Sequence, residues 1–164
     1  MKILIALYSR TGVTRKVAGL IGKELSKSYK SGQCDIEEIT DKVKRDGAIG
    51  CLRCGREATL KKIPAIDTPK NNPSNYDLVI IGTPIWAFTM ASPVRAYLTS
   101  MKSKFKKVAF FCTQGGSGAE RAFEHMQELC GKKPIAKLTL STNEVMKEDC
   151  KNKVERFVKS LNKK

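Results

Sequence analysis

The opening segment Ile3-Leu4-Ile5-Ala6-Leu7-Tyr8-Ser9-Arg10-Thr11-Gly12-Val13-Thr14 passes from an unbroken aliphatic run into a turn of hydroxyls and one glycine. Beyond the turn, Val13, Val17, Leu20, Ile21 and Leu25 repeat at helical spacing, with Lys16 and Lys23 on the other face. An aliphatic run without polar alternation predicts a strand covered on both faces, and the 3.6-residue period predicts a helix packed against it. Met1 and Lys2 followed by apolar residues resemble a signal peptide at first sight. The apolar run breaks at Tyr8 and Ser9 with no small-residue cleavage region, so the segment is read as a first β-strand.

The same alternation continues to the end of the chain. Cys34 to Ile39 alternates in polarity and precedes a long polar stretch, which suits an edge strand. Asp77 to Gly82 and Lys107 to Cys112 are buried strands. Pro93 is placed to start a helix carrying Val94, Tyr97, Leu98 and Met101. A further helix runs from Ala119 through Leu129 to a stop at Gly131, Pro134 to Leu140 forms a fifth strand, and Cys150 to Leu161 marks the closing helix. Strands alternating with helices predict an α/β fold with a parallel sheet between two helical layers. The segment from Thr40 to Ser74 is basic, holds three prolines and has one expected helix, Ala48 to Thr59.

A chain of 164 residues suits a single domain spanning 1–164, large enough to bury about two-thirds of its unfolded surface. Lys and Arg number 31 against 16 Asp and Glu, a net charge of +15, which favours anionic partners without choosing among nucleic acid, membrane face and acidic protein. No apolar stretch approaches the roughly 20 residues of a membrane-spanning helix. The six cysteines are scattered instead of arrayed as a disulfide framework, and a cytoplasmic location is expected.

In an open parallel sheet, ligands bind beyond the carboxyl ends of the strands, where strand order reverses. Three loops expected there are chemically unusual. Ser9-Arg10-Thr11-Gly12-Val13-Thr14 leads into a helix N-terminus, whose free amides and positive dipole end make a phosphate cradle; the same hydroxyls could equally cap the helix. Thr83-Pro84-Ile85-Trp86-Ala87-Phe88 places the only tryptophan at a strand end, where it can cover a flat ligand or pack onto a neighbouring helix. Thr113-Gln114-Gly115-Gly116-Ser117 is polar and glycine-rich, open to close approach by a heterocycle edge. No G-x-x-x-x-G-K-[ST] occurs and no G-x-G-x-x-G follows a strand, which argues against nucleotide hydrolysis and dinucleotide binding at this loop.

With S-R-T-G-V-T after the first strand, G-T-P-I-W-A after the third and C-T-Q-G-G-S-G after the fourth, the chain resembles the flavodoxin family over nearly its whole length. The resemblance implies a flavodoxin-like three-layer sandwich of five parallel strands in the order 2-1-3-4-5. It also implies FMN as cofactor, with phosphate on Ser9 to Thr14 and isoalloxazine between Thr83 to Phe88 and Thr113 to Ser117. The chain departs from the electron-carrier flavodoxins in its basic charge, its lack of acidic residues in the third loop, and the basic Thr40 to Ser74 excursion. Two roles are open: an electron carrier, or a small NAD(P)H- or quinone-linked FMN oxidoreductase, with acidic redox proteins or small molecules as donor and acceptor. The alternative is a binding module whose basic face takes nucleic acid or an acidic protein.

No side chain need be catalytic, since the flavin performs the redox chemistry. Cys51 and Cys54 have C-x-x-C spacing, but no second pair exists and the one histidine, His125, lies in another element, so they are read as ordinary cysteines and no metal is expected. His125 is read as a partly exposed helix residue without a role. Gly47, Gly50 and Gly55 with Arg53 and Arg56 form either a basic flap beside the phosphate loop or a solvated surface loop. Arg10 is the basic residue expected nearest the ring, where a positive charge would ease the final one-electron reduction.

Overall fold

The computed structural model describes residues 1–29, 32–45 and 47–162. Asp46, within the Thr40 to Ser74 excursion, and Lys163 and Lys164, at the end of the expected 1–164 domain, lie outside them. The chain forms β1 (Lys2–Leu7), α1 (Val13–Ser28), β2 (Gln33–Glu38), α2 (Gly47–Thr59), β3 (Leu78–Trp86), β4 (Thr89–Met90) and α3 (Ser92–Met101). It continues through β5 (Val108–Gln114), α4 (Ala119–Cys130), β6 (Lys137–Ser141), α5 (Thr142–Met146) and α6 (Lys151–Ser160).

Five strands pair in parallel in the order β2-β1-β3-β5-β6, and the two-residue β4 turns back antiparallel on β3. Counting the parallel strands alone, this is the expected order 2-1-3-4-5. The addition is the β3–β4 hairpin, whose turn residues Ala87 and Phe88 both have positive φ, 45° and 63°. Positive φ at both central residues is what a two-residue hairpin turn demands, usually of Asn and Gly.

Alternation along the strands divides the core in two. Ile3, Ile5 and Leu7 of β1 join Leu78, Ile80 and Phe111 beneath Val17, Ile21 and Leu25 of α1 and Phe157 and Val158 of α6. Leu4, Ala6 and Tyr8 join Val79, Ile81 and Phe110 beneath Val94 and Tyr97 of α3 and Phe123 and Met126 of α4. Gly82 sits opposite Phe111 in the β3–β5 register, and a Cβ there would lie 2.1 Å from the Phe111 ring. This glycine leaves the room that an aromatic residue on the adjacent strand fills.

Several boundaries differ from expectation. β3 runs on to Trp86 and β5 to Gln114, so Thr83 to Trp86 and Thr113 to Gln114, expected in loops, are strand ends held by pairing with β4 and β6. The last strand starts at Lys137 instead of Pro134, since proline has no amide for the ladder; the bonds Ile135 N–H→Val108 O and Phe110 N–H→Ala136 O lead into it. A short helix, α5, precedes α6, begun by a capping box in which the Ser141 hydroxyl accepts from Glu144 N–H and the Glu144 carboxylate accepts from Ser141 N–H.

Candidate functional site

The carboxyl ends of β1, β3 and β5 lie side by side, and the loops that leave them meet in a cleft of about 120 Å³. Arg10, Thr11, Val13 and Thr14 line one side, Pro84, Ile85 and Trp86 another, and Thr113, Gln114 and Gly115 a third. Thr142 of α5 completes the lining and was missed by sequence reasoning, although S-T-N-E at 141–144 is a readable capping-box signature.

The first loop leaves a helix end open. Gly12 is the N-cap of α1 with φ of 87° and no side-chain cap, and the helical ladder begins only at Lys16 N–H→Gly12 O. Ser9 Oγ accepts from Arg15 N–H at 3.2 Å, while the amides of Val13 and Thr14 find no partner among the described residues. Capping thus accounts for one hydroxyl. Thr14, the next, is turned across the cleft: its Oγ1 lies 2.8 Å from Thr113 Oγ1, and both residues are buried. One of these two hydroxyl protons is used between them and the other is left to donate. A Cβ on Gly12 would meet nothing within 4 Å, so its left-handed backbone, and not crowding, requires glycine.

Arg10 lines the cleft but is also a strut. Its Nε and Nη2 donate to the carbonyls of Arg45 (2.8 Å) and Gly47 (2.9 Å), tying the first loop to the start of α2. Among the described residues the Arg10 guanidinium forms no ion pair.

In the second loop, Trp86 is only 9% exposed: its ring makes an edge contact with Tyr8 at 5.4 Å, and the Arg45 guanidinium lies 5.7 Å from its centre. Trp86 therefore lines the cleft as part of its floor. The aromatic ring free at the rim is Phe88, 59% exposed beside Ala87 at the hairpin tip. Thr83 is fully buried and does not line the cleft; its Oγ1 accepts from Ala91 N–H at 3.0 Å and holds the start of α3 to β3.

In the third loop, Gly115 and Gly116 have open space where a Cβ would stand, and Gly116 and Ser117 lie outside the lining. Gln114 Oε1 is buried with no donor among the described residues, an orphaned acceptor at the cleft. Gly118, with φ of 114°, lets this loop touch the hairpin tip: a Cβ there would lie 2.6 Å from Phe88 Cα.

Sequence reasoning did not anticipate Arg45. The guanidinium is buried and bridges Asp41 (2.6 Å) and Glu57 (2.8 Å), while Arg53 holds the other oxygen of Glu57 at 3.0 Å. Burial opposes its charge, but the bonds to Asp41 and Glu57 outweigh it and keep the pKa raised. Burial foremost pushes the Tyr8 phenol upward, against the lowering effect of the Arg45 charge. Gly50 of α2 packs on this segment so closely that a Cβ would lie 2.1 Å from the Arg45 carbonyl carbon. The excursion beside the phosphate loop is thus neither a flap nor a solvated loop here, but a helix locked down by a buried ion network.

A parallel sheet with its cleft between β1 and β3, where strand order reverses, places the chain among the doubly wound α/β proteins. A family model described as flavodoxin matches residues 2–157, and the chain belongs to the flavodoxin family. A flavoprotein from Lactobacillus acidophilus NCFM, solved in complex with FMN, is similar at 26% identity and a TM-score of 0.68 over 89% of this chain and 97% of its own. A candidate flavoprotein from Bacteroides uniformis superposes with a TM-score of 0.70 at 22% identity, covering 96% and 97% of the two chains. Two-electron reduced Megasphaera elsdenii flavodoxin superposes at 0.60 and 17% identity, covering 96% and 98%; these last two bear on the fold alone. No curated protein matches the chain.

Proposed function

We propose that residues 1–164 form one domain that binds FMN non-covalently in this cleft and works by passing electrons through it. The observation that carries the reading is the pairing, in one cleft, of an open helix N-terminus at Gly12 to Thr14 with the orphaned acceptor Gln114 Oε1. The first suits a phosphate and the second suits the ring N–H of an isoalloxazine. The FMN-bound Lactobacillus acidophilus flavoprotein supports the same cofactor.

In this reading the amides of Val13 and Thr14 and the hydroxyl of Thr11 hold the phosphate. The free proton of the Thr14–Thr113 pair donates to the ligand, and Gln114 accepts from the ring. Trp86, held by Tyr8 and Arg45, gives the cleft a rigid floor, and Phe88 at the hairpin tip excludes water from the rim. Bound FMN supplies one- and two-electron redox chemistry. Arg45 adds no net charge there because Asp41 and Glu57 neutralise it, which leaves Arg10 as the nearby cation.

The six free cysteines, four of them buried, suit a reducing cytoplasm. No described helix is long and apolar enough to cross a membrane. Donor and acceptor are acidic redox proteins or small anionic molecules, in keeping with the charge of +15. Quenching of FMN fluorescence on titration tests the binding, and unchanged fluorescence overturns it. Turnover of NADPH with a quinone marks a reductase; inertness toward both marks a carrier.

A further inference from the structure

The far edge of the sheet carries a second cavity. β2 is an edge strand, and the segment 66–71 is fastened to its free side at two places. At one, Asp41 and Ile66 form an antiparallel bridge and Asp67 N–H donates to Thr40 O at 2.8 Å. At the other, the amides of Lys70 and Asn71 donate to the two carboxylate oxygens of Glu37. A cavity of about 480 Å³ lies among β2, this segment and Tyr97 of α3, and it shares no lining residue with the flavin cleft.

Two buried polar groups line it without the partner each needs. Glu37 is 8% exposed, and among the described residues its carboxylate pairs with no cation. Alternation along β2 puts it on the same face as Ile39, which belongs with Tyr97 to the α3-side core. Tyr97 is fully buried, and its hydroxyl has no hydrogen-bond partner among the described residues. The Tyr76 hydroxyl, at the same edge, lies 2.7 Å from Asp35 Oδ2 and 2.8 Å from Asn71 Oδ1. Burial foremost, and then the Glu37 charge, raises the Tyr97 phenol. A buried carboxylate without a cation and a buried hydroxyl without a partner are both costly, and one ligand group can satisfy the two together.

The rim has the same sign. Asp67 accepts from the Thr40 hydroxyl at 2.7 Å and forms no ion pair among the described residues, whereas Glu38 is occupied by Arg15. Three carboxylates thus line the cavity against one lysine, Lys70, in a chain whose net charge is +15. Among the described residues no group of three His, Cys, Asp or Glu side chains could hold a metal ion, so an organic cation fits better. We propose that this cavity binds a small molecule carrying a primary ammonium on an aliphatic body. The ammonium N–H groups donate to Glu37 and to the Tyr97 oxygen, and the body lies against Ile39 and Pro69. The site does not rest on the FMN reading.

The Lys70 and Asn71 amides report on Glu37 directly, so amide NMR of the full chain reads the site. The protein, with and without FMN, is titrated with n-butylammonium chloride at constant ionic strength. Parallel titrations use n-butanol, tetramethylammonium chloride and magnesium chloride. Saturable shifts of both amides with n-butylammonium alone are expected. No saturable shift with n-butylammonium overturns the site, and equal shifts with any of the other three show that it does not select a primary ammonium. Tyr97→Phe should raise Tm, because it removes the unpartnered hydroxyl, and leave FMN affinity unchanged. It should weaken n-butylammonium about tenfold, the loss of one hydrogen bond to a charged group. Glu37→Gln should abolish the response. Should Glu37→Gln fail to fold, Asp67→Asn at the exposed rim, which keeps an acceptor for Thr40, should weaken binding severalfold. A full response in both Tyr97→Phe and Asp67→Asn refutes the proposal. Binding that appears only in Lys70→Ala would show that the chain's own lysine fills the cavity, and refutes it equally.

Discussion

The bond between Thr14 and Thr113 joins the first and third loops across 99 residues of sequence, and its worth can be isolated by a double-mutant cycle. Valine matches threonine in shape and removes only the hydroxyl. Either single Thr→Val change leaves the other hydroxyl buried and orphaned, which costs about 1–3 kcal/mol. The double change replaces the pair by two methyl groups, leaves no orphaned hydroxyl and so costs less than either single change. With each single change at about 1.5 kcal/mol and the double at about 1, the coupling is about 2 kcal/mol, the double mutant being less destabilised than the sum. For a urea m-value of about 2 kcal/mol/M, each single change lowers the midpoint by roughly 0.7 M, and the double by about 0.5 M. The assay is urea unfolding of the apoprotein followed by circular dichroism. FMN affinity should follow a different order. Each single mutant retains one hydroxyl proton for the ligand, so only the double mutant should lose a donor. Additive midpoint shifts, or a double mutant as destabilised as the sum, would refute the claim that this bond locks the two loops.

Other consequences can be read from the same contacts. Gly50→Ala should drive α2 away from the Arg45 segment, destabilise by about 1–3 kcal/mol and change the emission of Trp86, the only tryptophan, whose ring Arg45 covers; unchanged emission with unchanged stability would contradict the close packing. The potential of the final one-electron step of bound FMN should fall on adding salt and on Arg10→Gln. A unit charge at about 10 Å contributes roughly 0.4 kcal/mol at the dielectric of water, and salt screens it; spectroelectrochemistry at low and high salt tests this. Glu144 is depressed to about 2, chiefly by its hydrogen bond to Lys153 and then by its cap on Ser141. Its folded pKa lies below its unfolded value near 4.5, so its stabilisation is complete above that value and is lost as pH falls toward 2. Discounted for solvent screening, this is on the order of 1 kcal/mol, and the stability gap between wild type and Glu144→Gln should close across that window.

The sheet was legible because β1, β3 and β5 are continuous apolar runs and the crossovers through α1, α3 and α4 carry a helical period, as in Ile3 to Leu25. The three loops were legible because they follow those strands, and in a parallel sheet that fixes which end they share. The role of each side chain was less so. Residue type alone leaves Trp86 open between covering a ligand and packing, and makes Arg10 a cation for the phosphate; the structure sets Trp86 against Tyr8 and engages two Arg10 donors with backbone carbonyls. Both outcomes depend on Arg45, in a segment with no hydrophobic period. Its only local trace is charge spacing: Asp41 to Arg45 and Arg53 to Glu57 are both four residues apart. The link from Arg45 to Glu57 crosses from loop to helix and has no short-range signature. Arg95 was hidden for a different reason, since it stands off the Val94–Tyr97–Leu98 stripe in a helix that is buried from Ser92 to Leu98, and only the structure shows its Nε and Nη2 buried without a partner among the described residues.

The central claim is that the open end of α1 holds the phosphate of FMN. Two charge-assisted hydrogen bonds at about 1.5–3 kcal/mol each predict that riboflavin, which lacks only that phosphate, binds some 10² to 10⁴-fold more weakly. Parallel calorimetric titrations of the apoprotein with FMN and riboflavin measure the ratio directly: a difference of at least a hundredfold is predicted, and equal affinities would contradict the account.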